Sequence, residues 1–449
     1  MDPFGCVKNQ VDAENMMAFL DGAGWVSASD PGTADIIIVN SCGFIESAKR
    51  ESINAVLSWK KNYPGKKILL SGCLVRRYEK ELAESLPEAD VLFDSEDLSG
   101  IVPAAGKLAG EPPEAAGIPR TPETPEAGKR PLLSLPGSAY VKISEGCDNR
   151  CSFCAIPLIR GGLKSRGSGG ILAECRALLD RGVRELCLIG QDTASYGRDT
   201  AQTESRRSVP ADSIERLLTA ISGLAGDFWV RLLYIHPDNF PFSVLDIMAA
   251  DRRILPYFDI PFQHGSARIL AAMNRRGSAE TYLDLAARIR DRLPGAVIRS
   301  TFMTGFPGEN AGDFEQLLDF QEKIRLDWLG VFDYSREEDT PACSMEEQIP
   351  KKISRRRRRI IEKRQIPITG KNLDRFVGGT WDVLVEERLE GGTQSGPLYL
   401  GRLYCQALEV DGSAVIVPEN GGEDPLRPGT FIRGLVTGRS GVDLTVKKL

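Results

Sequence analysis

The sequence predicts a multidomain α/β protein. It combines an N-terminal parallel α/β domain, a central partial (βα)6 barrel and a small C-terminal antiparallel β-barrel of the OB type. Three observations carry this reading. Buried-strand runs alternate with helix-period segments through the first hundred residues. The same alternation recurs six times between about Ser138 and Ala342. The last seventy residues break into five short β-like runs separated by glycine-rich turns.

In the N-terminal part, Asp12–Leu20 places apolar residues at helical spacing, Ala34–Val39 reads as a buried strand and Ser47–Trp59 as a helix. A second buried strand, Lys67–Leu70, and a helix, Arg76–Leu86, follow. From about Gly100 to Pro136 the composition shifts to Pro, Ala, Gly and Glu, as in Glu111-Pro112-Pro113-Glu114 and Thr121-Pro122-Glu123-Thr124-Pro125, which reads as a linker. The six strands expected in the centre are Tyr140–Ile143, Glu185–Ile189, Trp229–Ile235, Phe258–Pro261, Val297–Met303 and Trp328–Tyr334. A charged connector helix carrying the run Arg355–Arg359 precedes the tail, whose strand candidates are Trp381–Glu386, Leu398–Tyr404, Ala414–Pro418, Phe431–Thr437 and Val442–Val446. The expected boundaries are 1–100, a linker over 101–136, 137–345, a connector over 346–376, and 377–449.

Composition narrows the class. An apolar share of 42% and a charged share of 27% describe an ordinary globular chain. No run approaches the length of a membrane span, and Met1-Asp2-Pro3-Phe4 lacks a secretory pattern, so a cytoplasmic location is expected. Ten cysteines in such a chain point to metal or redox chemistry, not to a disulfide framework. The net charge of −5 gives no general electrostatic reason to expect nucleic-acid binding. Only the Arg355–Arg359 run offers a polyanion contact, against the ordinary explanation of a solvated helix face.

The most specific motif is Cys147-Asp148-Asn149-Arg150-Cys151-Ser152-Phe153-Cys154, a CxxxCxxC segment just after a strand-like run. Three thiolates on one loop suit an iron–sulfur cluster that leaves one iron without a protein ligand; zinc wants a fourth ligand nearby, and a disulfide leaves one thiol over. Such an open iron fits chelation of S-adenosylmethionine and radical chemistry. Phe153 is a candidate to pack on the adenine, or is plain core filling. Cys42 and Cys73 sit at loops after strands of a parallel sheet and Cys6 just before the first helix, so the three can converge on one edge; their spacing alone is equally compatible with three separate cysteines. Polar groups also follow the central strands: Gln191 and Asp192 after the second, His236 after the third, His264 past the fourth, and Gly305-Phe306-Pro307-Gly308-Glu309 after the fifth. Each has an ordinary structural explanation, such as a turn or a loop cap, but their shared position at strand ends favours one rim. Gln191 is taken as the candidate cofactor contact among them.

With these residues in place, the chain resembles the methylthiotransferases of the radical S-adenosylmethionine (SAM) superfamily along nearly its whole length. The supporting segments are Asn40-Ser41-Cys42-Gly43-Phe44-Ile45, Lys142-Ile143-Ser144-Glu145-Gly146-Cys147-Asp148, Cys151-Ser152-Phe153-Cys154-Ala155-Ile156-Pro157, Gly190-Gln191-Asp192-Thr193 and Glu409-Val410-Asp411-Gly412. The resemblance implies an N-terminal methylthiotransferase domain, a radical SAM barrel and a C-terminal TRAM domain. It implies two [4Fe-4S] clusters, one on Cys6, Cys42 and Cys73 and one on Cys147, Cys151 and Cys154. It also implies that S-adenosylmethionine serves as methyl donor and radical source. The closest branch methylthiolates the β-carbon of an aspartate in small-subunit ribosomal protein S-twelve, with an electron donor and a sulfur donor as further partners. The runner-up is the tRNA-modifying branch, MiaB-like, which has Gln-Asn where this chain has Gln191-Asp192. Residues 380–449 hold seven Lys and Arg against ten Asp and Glu, and this acidic tail suits a basic ribosomal protein better than RNA. Two departures stand out: only Met1–Gly5 precede Cys6 where the family carries a strand, and Asn310 replaces a threonine, with little effect expected.

Overall fold

A computed structural model of the chain describes residues 1–110, 128–200, 212–389, 397–417 and 426–449. The proline-rich quartets of the expected linker and Pro418 lie outside the described residues. The chain forms two compact units: Met1–Leu133 with Glu145–Lys164 and Ser335–Cys343, and Ser134–Ser144 with Ser165–Tyr334 and Ser344–Leu449.

The first unit is built on a four-stranded parallel sheet in the order β1 (Asp2–Pro3), β2 (Ile36–Ser41), β3 (Lys67–Gly72), β4 (Val91–Phe93). Its helices are α1 (Val7–Gly22), α2 (Glu46–Asn62), α3 (Cys73–Ser85), α4 (Ile101–Ala109) and the short α5 (Ile156–Arg160). Both sheet faces are covered, so the strands are apolar at successive positions. Ile37, Val39, Ile68 and Leu70 pack with Val56, Leu74 and Leu82 on one face. Ile38 and Leu69 meet Met16, Phe19, Leu20, Ile101 and Ala104 on the other. A strand does precede Cys6: Asp2 and Pro3 pair in parallel with Val39 and Asn40. The segment read as linker opens with a helix, α4, because Ile101, Ala104 and Ala105 bury an apolar face against α1. Its Pro103 falls in the first turn, where the missing N–H is not needed.

The second unit contains β5 (Ser138–Lys142), β8 (Glu185–Ile189), β9 (Trp229–Leu232), β10 (Ile254–Asp259), β11 (Val297–Thr304) and β12 (Trp328–Asp333), all parallel and neighbouring in chain order, as an open six-stranded partial barrel. The two-residue strands β6 (Ser144–Glu145) and β7 (Lys164–Ser165) lie between β5 and β8 in sequence. The helices are α6 (Ser168–Asp180), α7 (Ile214–Ser222), α8 (Val244–Ala250), α9 (Ala267–Ala272), α10 (Ala279–Arg292), α11 (Ala311–Ile324) and α12 (Lys351–Leu373). Asn310 caps α11 reciprocally with Asp313, at 3.0 and 2.9 Å, so it serves as well as the threonine it replaces.

The tail closes into a barrel of β13 (Thr380–Arg388), β14 (Tyr399–Arg402), β15 (Ala414–Val417), β17 (Asp443–Lys448) and β16 (Phe431–Ser440). Its pairings are antiparallel except β15 with β17, which run parallel to complete the circuit. This barrel docks where the central strands begin. Arg402 bonds Ser138 and Glu185, the first residues of β5 and β8; Phe431 stacks on Trp229, the first residue of β9, at 4.7 Å; Trp328, the first of β12, donates to the Cys405 carbonyl at 2.7 Å. The opposite, C-terminal ends of the strands are therefore left for chemistry. Glu185 is fully buried between Arg402 and Arg231, and although burial alone would raise it, these cations depress its pKa to about 2.

Candidate metal centre: two cysteine triplets

Both triplets belong to the first unit. Cys6 caps the start of α1 just after β1, Cys42 follows β2, and Cys73 opens α3 directly after β3. A parallel sheet brings these three loops to one edge, and glycines let them close up. A Cβ on Gly5 would lie 2.8 Å from Cys42 Sγ, and one on Gly43 would lie 2.6 Å from the Cys73 carbonyl. Gly72, at φ +96°, has Asn40 and Ser41 pressed against the place a side chain would occupy. The three thiols are electrostatically coupled: Cys42 feels both Cys73 and Cys6, and Cys73 feels Cys6.

Asn9, on the first turns of α1, holds this edge together. Its amide donates to the carbonyls of Phe4, Asn40 and Ser41 at 2.6, 3.1 and 3.2 Å, and the Asn40 amide returns a bond to the Asn9 carbonyl at 2.7 Å. Ser52 on α2 donates to the Ala48 carbonyl and accepts from the Cys42 N–H at 3.0 Å. Burial pushes the Cys42 thiol up to about 12 and raises Cys73 as well, while Arg160 pulls both down. Burial outweighs that cation, so both thiols hold their protons more firmly than a free cysteine.

The CxxxCxxC loop is shaped by its own backbone. Gly146 takes φ +71°, and a Cβ there would come within 2.0 Å of the Gly162 carbonyl. The Cys147 N–H donates to Gly161 O at 3.1 Å, closing the loop base, and Asp148 accepts from Leu163 N–H at 3.1 Å. Two donors reach sulfur: Asn149 Nδ2 to Cys147 Sγ at 3.3 Å, and Ile156 N–H to Cys154 Sγ at 3.5 Å. The Ala342 N–H pins Ser152 O at 2.9 Å from the segment Ser335–Cys343. Phe153 is half-buried on this loop.

One side chain, which the motif search did not single out, connects the triplets. Arg160, at the end of α5 and buried, donates to Cys73 Sγ at 3.0 Å, to Asp12 and to Glu145 at 2.8 Å each, and to Asn9 Oδ1 at 3.4 Å. Its carboxylate partners keep the guanidinium charged despite burial. Ala155 and Ile159 of the same segment pack on Cys73. The only signal in the sequence was an arginine six residues past Cys154, indistinguishable from a surface charge.

Among the described residues, no three His, Cys, Asp or Glu side chains gather tightly enough for a single metal ion. The donor sets suit clusters instead: thiols only, three to a set, with N–H groups aimed at sulfur as cluster-bound thiolates require.

In the second unit, Gln191 is half-buried just past β8. Its neighbour Asp192 ties two rim loops together. It accepts from Ala194 N–H at 3.1 Å, Ser195 Oγ at 2.6 Å, His236 N–H at 3.2 Å and Asn239 Nδ2 at 2.8 Å. Burial lowers His236 to about 4 and His264 to about 3, so both are neutral near pH 7. Each accepts a bond from its own loop, His236 from Asp238 N–H and His264 from Ser266 N–H. Glu309 likewise accepts from the Gly305 and Phe306 N–H groups, so the Gly-Phe-Pro-Gly segment is an ordinary stabilised turn.

Comparison with known proteins is direct. Residues 1–94 match the family described as uncharacterized protein family UPF0004, and residues 141–320 match the radical SAM superfamily. The ribosomal protein uS12 methylthiotransferase RimO of Treponema denticola is 44% identical across 99% of both chains. The chain belongs to the RimO family of radical SAM methylthiotransferases. The RimO proteins of Pelotomaculum thermopropionicum (40% identical, 98% of this chain and 97% of that one) and Thermotoga maritima (37%, 91% of each) agree. No described helix is long and apolar enough to cross a membrane.

Proposed function

We propose that the protein transfers a methylthio group to the β-carbon of an aspartate in ribosomal protein uS12. The relatives carrying that activity in their names align from end to end, and the six cysteines lie in two triplets within the first unit, which supports the reading. We assign Cys147, Cys151 and Cys154 to one [4Fe-4S] cluster and Cys6, Cys42 and Cys73 to a second. S-adenosylmethionine is both methyl donor and radical source, so when bound these groups supply hydrogen abstraction at the target carbon and the sulfur delivered to it.

The chain's own residues prepare for this. Arg160 places a fixed cation against Cys73, favouring its thiolate. Asn149 Nδ2 and the Ile156 N–H donate to the sulfurs of Cys147 and Cys154. We assign Phe153 and Gln191 to S-adenosylmethionine. The domain boundaries read from the sequence, an electron donor, a sulfur donor and a cytoplasmic location complete the proposal. The observation that carries it is the end-to-end alignment with relatives named as uS12 methylthiotransferases.

The test is anaerobic incubation of reconstituted, reduced protein with S-adenosylmethionine, sulfide and either uS12 or unmodified tRNA, followed by mass analysis. A methylthio gain on uS12 is expected. A gain on tRNA alone overturns the assignment, and iron and sulfide counts matching one cubane overturn the second cluster.

A further inference from the structure

Helix α12 carries ten Lys and Arg and a single glutamate in a protein of net charge −5. Its arginines divide into two populations. Arg357 pairs with Glu309 at 2.9 Å and lies over the Phe314 ring, Arg358 pairs with Asp333 and Glu362, and Arg364 pairs with Glu322. Lys352, Arg355, Arg356, Arg359 and Lys363 are exposed, and among the described residues none of them makes an ion pair. At 3.6 residues per turn these five fall within about 100° of arc, along roughly 16 Å of helix. The buried positions Ser354, Ile361, Gln365 and Ile368 occupy the opposite side. The lone glutamate, Glu362, is turned to Arg358. The five cations and Ile360 line an open cavity of about 550 Å³.

The helix is rigidly seated. Ser354 donates to Thr304 O at 3.0 Å and Asp333 at 2.8 Å, Gln365 to Leu326 O at 2.8 Å, and Thr369 to Asp327 O at 2.7 Å. Unneutralised like charges this close repel one another, so the stripe opposes helix stability without a partner. Its chemistry is that of phosphate recognition: three arginines offer planar forks, the helix has no aromatic residue to form a platform, and the exposed Ile366 is an isolated apolar side chain beside the stripe.

We infer that this face of α12 binds the phosphate backbone of RNA, holding the protein on the small ribosomal subunit beside the target. The identity of that RNA rests on the uS12 reading above; the phosphate contact does not. The division of labour follows from charge: the acidic tail faces a basic protein while the stripe faces ribosomal RNA.

Binding of a fluorescently labelled single-stranded RNA to the full-length protein tests the contact. Five phosphates neutralised give a slope of about −3.5 in log affinity against log salt, or roughly a hundredfold loss between 50 and 200 mM salt. The variant K352Q/R355Q/R356Q/R359Q/K363Q should lose nearly all of that slope. A matched variant removing scattered exposed cations, K61Q/K80Q/K107Q/R252Q/K371Q, has the same net charge and should keep it. Equal loss in both variants refutes the stripe. Tighter stripe-dependent binding to anionic phospholipid vesicles, or to tRNA, than to small subunits refutes the partner. In turnover the stripe variant should raise KM at least tenfold for assembled subunits and leave free uS12 unaffected. An equal effect on both overturns the docking role, while absence of turnover by the wild type on either substrate counts against the activity and leaves the RNA result standing.

Discussion

Replacing Arg160 by methionine removes a charge shared by the buried Asp12, Cys73 and Asn9 and by the half-buried Glu145. Asp12 and Cys73 are 2% and 6% exposed, and neither can recruit water once the guanidinium is gone. Stripping one partner from a buried, hydrogen-bonded ion pair costs about 3–5 kcal/mol. At roughly 2–4 °C per kcal/mol for a domain of this size, the first unit should melt about 6–20 °C lower. A second effect is specific to sulfur: without the 3.0 Å donor, Cys73 is left with burial, which raises its pKa, so on the cluster assignment proposed above the triplet of Cys6, Cys42 and Cys73 should bind less iron. The assay is paired calorimetry and iron and sulfide analysis of R160M and R160K. The lysine variant keeps a cation by Asp12 but cannot span Asp12, Glu145 and Cys73 together, so it should recover most of the melting temperature and little of the second cluster. Wild-type melting and full iron in R160M refutes the reasoning. So does iron loss confined to the Cys147–Cys154 triplet.

Other consequences follow from neighbouring geometry. Glu185, depressed from its ordinary 4.5 to about 2, stabilises the protein by about 3 kcal/mol above pH 4.5, and that contribution is lost as pH falls toward 2; E185Q should abolish this part of the acid dependence in urea melts, and an unchanged acid limb contradicts the assignment. In D192N one carboxylate oxygen becomes a donor facing the Asn239 amide, so a loss of about 1–3 kcal/mol is expected, with faster amide exchange at Ala194 and His236; unchanged exchange at both rules out the anchoring role. G146A forces a Cβ against Gly162 O at positive φ, and should halve the iron bound while the first sheet stays folded by circular dichroism; full iron content argues against a strained loop.

The central strands were legible because apolar runs of strand length separated by helix-period segments admit few alternatives: Glu185–Ile189 was located to the residue. CxxxCxxC was legible because its ligands are local. Cys6, Cys42 and Cys73 were legible only as a convergence that their spacing left open, since the order of strands in a sheet is what brings together residues separated by dozens of positions. The three-residue β4 was missed because so short a run has no measurable period, and α4 was hidden by Pro103 and its alanines. Arg160 and Glu337 are beyond any local pattern. The first finds Cys73 from 87 residues away, and the second finds Arg77 from 260.

That last contact bears on synthesis. Glu337 is buried and receives Arg77 at 2.8 Å and Lys49 at 3.1 Å, both cations lying against the Tyr78 ring. The first unit takes its other pieces from Met1–Leu133 and Glu145–Lys164, yet its counter-charge lies in Ser335–Cys343. At about 5–20 residues per second, a ribosome needs roughly 10–35 s after Lys164 to supply Glu337. Through that interval Lys49 and Arg77 lack the buried Glu337 carboxylate, Lys49 keeping only the exposed Glu46, and Ser152 in the cysteine loop lacks the Ala342 N–H that later pins it. The first unit is therefore complete only once Ser335–Cys343, just past the last strand of the partial barrel, has been translated.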